Sequence, residues 1–214
     1  MENWTLGLHP LAAETDMGGA KTARRSWKRH KAIVDAAIAC VARTGYTATT
    51  VEAVAAEAGA GKQTIYRWWP SKAALFVEVY GRLADRSILQ PSAAPAPPAQ
   101  SLEEALAALL SRLFDLYRTS PAGAILAGLI GEAAGDEEVR AAVQAGLVLG
   151  RGDIVRELVA SHPDVKSRAI RPDIVNEVVI ALVWKALILA PESLTDAGAR
   201  AIAGTALSAA MPHA

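Results

Sequence analysis

The chain has 214 residues, enough to bury a substantial core in one or two domains. Apolar residues make up 52% and aromatics only 5%, and runs with helical periodicity outnumber alternating ones, so an all-α fold is expected. The formal net charge is zero, and the single cysteine, Cys40, excludes an internal disulfide and suits a reducing, cytoplasmic setting.

The zero charge conceals an asymmetry. Residues 1–90 carry 12 basic against 8 acidic side chains, residues 91–214 carry 10 against 14, and residues 21–75 carry ten against three. Charge segregated in this way points to a front end that meets a polyanion and a back end that does not.

Residues 1–20 mix Gly, Pro and scattered apolar side chains, without the basic start and sustained apolar core of a signal peptide. A disordered extension is expected there, with Met17 as an alternative start. The basic run Lys21, Arg24, Arg25, Lys28, Arg29 and Lys31 follows, an arm suited to phosphates, with Arg24, Arg25 and Lys28 as its candidate DNA contacts. A first helix over residues 26–44 carries Ile33, Ala36, Ala37, Cys40 and Val41 on one stripe. Gly45 is expected to cap it in the αL conformation, and Cys40 reads as a packed thiol.

The stretch 49–72, TTVEAVAAEAGAGKQTIYRWWPSK, has the pattern of a helix, a glycine turn and a second short helix closed by proline. Thr49-x-x-Glu52 fits a capping box. Val51, Val54, Ala55 and Ala58 form an inward face, and Gly59 supplies the positive φ of the turn. On the second helix, residues 62–69, Ile65 and Trp69 point together while Gln63, Thr64 and Arg67 point away. Lys62, Gln63 and Thr64 can bond base edges in a major groove, whereas Tyr66 and Trp68 on an outer face suit sugars and phosphates. Pro70 stops the helix, Ser71 caps the next one, and Lys72 in its first turn favours a bound phosphate.

The segment 58–75, AGAGKQTIYRWWPSKAAL, resembles the signature of TetR-family transcriptional repressors, and the likeness extends upstream through Gly45-Tyr46 and Thr49-Thr50-Val51. That resemblance implies a three-helix DNA-binding head in which Lys62, Gln63 and Thr64 meet bases or nearby phosphates and Thr50, Tyr66, Trp68 and Lys72 hold the backbone. Gly61, Gln63 and Trp68 depart from the common serine, glycine and histidine, so the operator sequence is not implied. A fourth helix is expected over 71–87, with Leu75, Phe76, Val79, Tyr80 and Leu83 as its apolar side, and the resemblance implies that its movement on ligand binding changes the spacing of two heads.

Residues 90–100, QPSAAPAPPAQ, form a proline-rich break. Domains are therefore expected as an extension, 1–20, a DNA-binding head, 21–75, and a ligand-binding and dimerisation body, 76–214. The body opens with a second capping box, Ser101-x-x-Glu104, on a helix over 102–119 with Leu102, Leu106, Leu109, Leu110, Leu113 and Tyr117 aligned. A glycine-bearing helix follows Ser120-Pro121 with Ile125, Leu126, Leu129 and Ile130. Another starts at Asp136 and runs toward Ser161, with a kink near Gly150.

The helix over 172–190 is apolar on nearly every side but too short, and too charged at Glu177 and Lys185, for a membrane span. With a helix over 195–210 that carries Ala201, Ile202, Thr205, Ala206 and Ala209, it suits an antiparallel four-helix bundle between two subunits. The segment 169–195 also resembles, more loosely, the C-terminal half of one TetR subgroup.

These features sum to about nine helices and a homodimeric, sequence-specific repressor that binds a palindromic operator. Phe114, Tyr117, Leu126, Leu129 and Trp184 could line a cavity for a mainly hydrophobic effector, or simply fill a core. No cofactor, metal or membrane partner is expected. A helical small-molecule-binding protein or an enzyme without DNA binding is the alternative. An enzyme would have to draw on His9, His30, His162, His213 and Cys40, which show no catalytic or metal-ligand spacing. A purely structural dimer would leave the basic head unexplained.

Overall fold

The computed structural model describes residues 19–85, 101–145, 153–165 and 169–211. The N-terminal extension with Met17, the proline-rich break at 90–100 and the kink near Gly150 lie outside the described residues. Within them the fold is all helical: α1 (Gly19–Ala48), α2 (Val51–Glu57), α3 (Lys62–Trp68), α4 (Lys72–Ala84), α5 (Leu102–Thr119), α6 (Ala122–Ala133), α7 (Glu137–Val143), α8 (Asp153–Ser161), α9 (Pro172–Leu189) and α10 (Asp196–Ala210), with a short 3₁₀ turn at Pro191–Ser193. Among the described residues no helix is long and apolar enough to cross a membrane.

The chain divides into two compact units that are not consecutive segments: residues 1–82 with 124–150, and residues 83–123 with 151–214. In the first, α1 packs on α2 and α2 on α3. Ile33, Ala36, Ala37, Cys40 and Val41 of α1 are all buried, as their spacing requires, together with Val51, Val54 and Ala55 of α2. In the second unit, α10 packs on α5 and on α9, and α8 packs on both α5 and α9. Ala199, Ala203, Ala206 and Ala210 are buried, so the small side chains of α10 let its backbone come close to its neighbours.

Local signals set most boundaries. Ser101 and Glu104 form the reciprocal capping box at the start of α5. Asp136 caps α7 by accepting from the N–H groups of Glu138 and Val139. Ser71 accepts from Ala74 N–H at 3.2 Å at the head of α4. Thr195 accepts from Gly198 N–H at 3.1 Å before α10.

Three expectations need correction. The N-cap of α2 is Thr50, which accepts from Ala53 N–H at 3.1 Å. Thr49 is instead buried, donating to Gly45 O at 2.7 Å and bonding the Thr44 hydroxyl at 3.1 Å, because it must close the connection from α1. Gly45 does have a positive φ of 78°, but its ψ of 166° is extended rather than αL, so it breaks α1 and re-aims the chain into a last turn carrying Tyr46. The basic run does not precede the first helix; α1 begins at Gly19 and carries it. Of the segment expected as one helix from Asp136 toward Ser161, α7 and α8 are described, and 146–152 lies outside the described residues.

Tyr46 is clasped by α6 within the first unit. Its hydroxyl donates to Glu132 Oε2 at 2.7 Å, and its ring lies directly over Gly128, where an added Cβ would fall 2.0 Å from ring carbon Cδ1. Burial and the Glu132 hydrogen bond together raise the Tyr46 hydroxyl's pKa well above the tyrosine range. Gly128→Ala must therefore displace a pinned aromatic ring, and a loss of about 1–3 kcal/mol in denaturant unfolding is expected. Gly131→Ala, with nothing within 4 Å of the new carbon, is the control and should not destabilise. Equal stability of the two variants would refute this packing.

Candidate nucleic-acid interface

The turn between α2 and α3 depends on Gly59, whose φ of 59° is the left-handed conformation glycine accepts most easily. α3 is then preceded by Gly61, which offers no side-chain cap, and ends as Trp69 leaves helical geometry before Pro70. Seven residues are too few for a stable isolated helix, so tertiary contacts must hold it. Ile65 and Trp69 supply them, both buried.

Trp69 leads to a network at the junction of α1, α3 and α4. Its indole N–H donates to Glu78 Oε2 at 2.8 Å, and the other carboxylate oxygen lies 3.2 Å from His30 Nε2. His30 is only 1% exposed. Its ring stacks on Trp27 at 5.5 Å and meets the rings of Trp68 and Trp69 at 4.7 Å each. Arg82 closes the group, 3.5 Å from Glu78 and with its guanidinium 4.8 Å from the Trp27 ring centroid. Burial acts to raise the Glu78 carboxyl, but the hydrogen bond and charge of His30, aided by Trp69 and Arg82, hold it below the ordinary carboxylate range.

In the sequence His30 stands only among the scattered histidines without catalytic spacing, although its spacing to Ile33, Val34 and Ala37 places it on the same face as the core stripe. Glu78 and Arg82 carried no signal, because their partners are far away in sequence.

The opposite face of α3 is open. Lys62, Gln63 and Arg67 are exposed, Thr64 is half-buried, and Tyr66 is 41% exposed. Lys62 pairs with Glu52 of α2 and lies with its ammonium 5.6 Å from the Tyr66 ring centroid. Thr50 is exposed at the start of α2. Two expected backbone contacts sit differently. Trp68, expected on the outer face, is half-buried with its ring edge against His30. Lys72 lies 3.5 Å from Glu132 Oε1 and over the Tyr46 ring at 4.1 Å. Lys28, Arg29 and Lys31 are exposed along α1, and Arg24 and Arg25 fall on its first turns.

Of the expected effector residues, Phe114, Tyr117, Leu126 and Leu129 are buried and Trp184 is half-buried. Phe114, Tyr117 and Trp184 belong to one unit and Leu126 and Leu129 to the other.

A short helix with a polar outer face, clamped from behind by buried aromatics and preceded by a glycine turn and a capped helix, is the reading element of a helix-turn-helix regulator. A model described as "Bacterial regulatory proteins, tetR family" matches residues 33–79, and one described as "Tetracyclin repressor-like, C-terminal domain" matches residues 96–206. The chain belongs to the TetR family of transcriptional regulators. It is 31% identical over 110 residues to the uncharacterized HTH-type transcriptional regulator YdeS of Bacillus subtilis (strain 168), covering 51% of this chain and 52% of that one. It is 41% identical over 59 residues to the HTH-type transcriptional repressor KstR of Mycolicibacterium smegmatis, covering 28% and 29%. The chain thus spans about half or less of these relatives' length.

Solved structures share the fold at low identity. The TetR family transcription regulator SCO0332 superposes with a TM-score of 0.68 at 22% identity over 86% of this chain and 100% of that one. The transcriptional regulator FadR from Bacillus subtilis, solved in complex with stearoyl-CoA, gives 0.59 at 18% over 84% and 98%.

Glu78→Gln tests the clamp behind α3. Its folded carboxyl titrates below its unfolded value, so its contribution is complete above about pH 4.3 and fades as pH falls through the lower folded value. The variant should lose roughly 1–3 kcal/mol at pH 7. The deficit should shrink below about pH 4, where wild type loses the charge as well. Urea unfolding at several pH values measures both, and a deficit independent of pH would contradict the assignment.

Proposed function

We propose that the protein is a homodimeric, sequence-specific repressor that binds a palindromic operator and leaves it when a small, mainly hydrophobic effector binds the body. The observation that carries the reading is the division of α3, in which Ile65 and Trp69 are locked in the core while Lys62, Gln63 and Tyr66 are exposed on the other side. Lys62, Gln63 and Thr64 read base edges, and Thr50, Tyr66 and Lys72 hold phosphates, with Trp68 supporting them from its half-buried place. Lys72 leaves Glu132 to do so. Arg24, Arg25 and Lys28 add an electrostatic approach along α1.

One such helix reads few bases. A two-fold pair sets two of them roughly 34–36 Å apart in successive major grooves, which explains the palindrome. Support for pairing comes from the outward side of α9, where Ile188 is 45% and Leu189 75% exposed, and from Ala201, Thr205 and Ala209, exposed at four-residue spacing on α10. A second copy would cover this surface as a four-helix bundle. Thr205→Arg, at a position exposed in the single chain, is expected to leave folding intact and shift the protein to monomer in light scattering coupled to size exclusion. An unchanged dimer would displace the interface from α10.

For the effector, membership of the family, the buried Phe114 and Tyr117 and the half-buried Trp184 support an apolar ligand. The stearoyl-CoA bound to the FadR of similar fold makes long acyl chains the first class to try.

Binding to genomic fragments followed by footprinting tests the reading. A protected symmetric site that weakens steeply with salt is expected. Tyr66→Ala should weaken binding to all sequences, whereas Gln63→Ala should cost about 1–3 kcal/mol at particular bases only. If both bind the operator as wild type does, α3 is not the reading helix.

A further inference from the structure

We propose that Glu52 is a specificity-determining residue: it holds Lys62 away from phosphates and, with it, reads a G·C pair. The proposal rests on the reading of Lys62 as a base contact given above. Glu52 stands in the first turn of α2 and Lys62 opens α3; their side chains are 61% and 49% exposed, and they pair across the turn. The expected role for Glu52 as half of a capping box with Thr49 is not realised, since Thr50 caps the helix. The carboxylate is spent on Lys62. That hydrogen bond holds Glu52 below the ordinary carboxylate range and raises Lys62.

A carboxylate on a DNA-reading surface opposes the phosphate attraction that supplies non-specific affinity. If Lys62 turned to a phosphate, Glu52 would be left beside the backbone without its cation, an arrangement that disfavours the wrong contact. A G·C pair offers a different exchange. In the major groove guanine presents the O6 and N7 acceptors and cytosine the N4 amino donor. Lys62 can donate to guanine while Glu52 accepts from cytosine, so neither charge is abandoned. An A·T pair also places an acceptor beside an amino donor, but only G·C sets two adjacent acceptors, O6 and N7, for the ammonium on one side of the amino donor for the carboxylate. The Tyr66 ring beneath Lys62 limits how far the ammonium can swing, which keeps the two groups together.

The test compares wild type, Glu52→Gln, Lys62→Met and the double variant by selection from a random duplex pool, then by competition between the selected site and mixed-sequence DNA at several salt concentrations. Wild type should enrich a symmetric site with a G·C pair at one position in each half. Glu52→Gln should bind mixed-sequence DNA roughly three- to tenfold more tightly, with a log–log salt slope steeper by about 0.9 as Lys62 gains a phosphate. It should also lose the preference at that position. Lys62→Met should lose the same preference, and Glu52→Gln should add nothing to it there. Retention of the G·C preference and salt slope by Glu52→Gln, or of the preference by Lys62→Met, overturns the proposal while leaving the operator reading intact. Failure of wild type to enrich any sequence overturns both.

Discussion

α3 is a helix that cannot stand alone, and everything expected of it depends on how it is held. Seven residues with a polar outer face have too few internal hydrogen bonds to offset the cost of ordering them. The clamp is the Glu78 carboxylate, which takes a hydrogen bond from the Trp69 indole with one oxygen and approaches the buried His30 ring with the other. Because Trp69 directly follows the last helical residue, this one carboxylate fixes the axial position and roll of α3 against α1 and α4 together. Charge-assisted bonds of this kind are directional as well as strong, so they hold orientation where apolar contact alone would allow sliding.

The surface that remains is small and its groups are mutually dependent. Lys62 is tied to Glu52 and lies by Tyr66, Thr50 serves its own helix end, and Lys72 is drawn inward by Glu132 and Tyr46. Basic side chains near a nucleic-acid surface are often treated as free positive charge. On the function proposed above, each of these lysines exchanges a carboxylate for its new partner, so the strength of binding is a difference between two similar energies. A difference of that kind responds strongly to small changes in the partner, which is the condition for discrimination between sequences.

Periodicity made the anchors of this arrangement legible and left the polar partners unread. Ile65 and Trp69 follow from a 100° step, and the core stripe of α1 and the capping box of α5 follow from local spacing. The Thr49 assignment failed by one residue because both Thr49 and Thr50 can cap, and the choice depends on Thr44 and Gly45 upstream. Gly45 could be read as a site of positive φ, but its ψ depends on where Tyr46 must go. His30–Glu78, Tyr46–Glu132 and Lys72–Glu132 join residues 48, 86 and 60 positions apart, and no local pattern encodes such a pairing. Only the position of His30 on the α1 stripe hinted that it was buried.

The separation between Tyr46 and Glu132 also bears on how the chain matures. The last turn of α1 is held by a hydrogen bond to a residue 86 positions later, across a ring seated on Gly128. On a ribosome adding roughly 5–20 residues per second, Tyr46 waits about 4–17 s for that partner. Through this interval α1 to α4 can associate, but the Tyr46 ring has only Phe76 and Lys72 of α4 against it and lacks the Gly128 side of its seat. The DNA-reading end therefore reaches its final form only after α6 has been synthesised, so a chain truncated before Glu132 would carry every reading residue without the contact that completes their support.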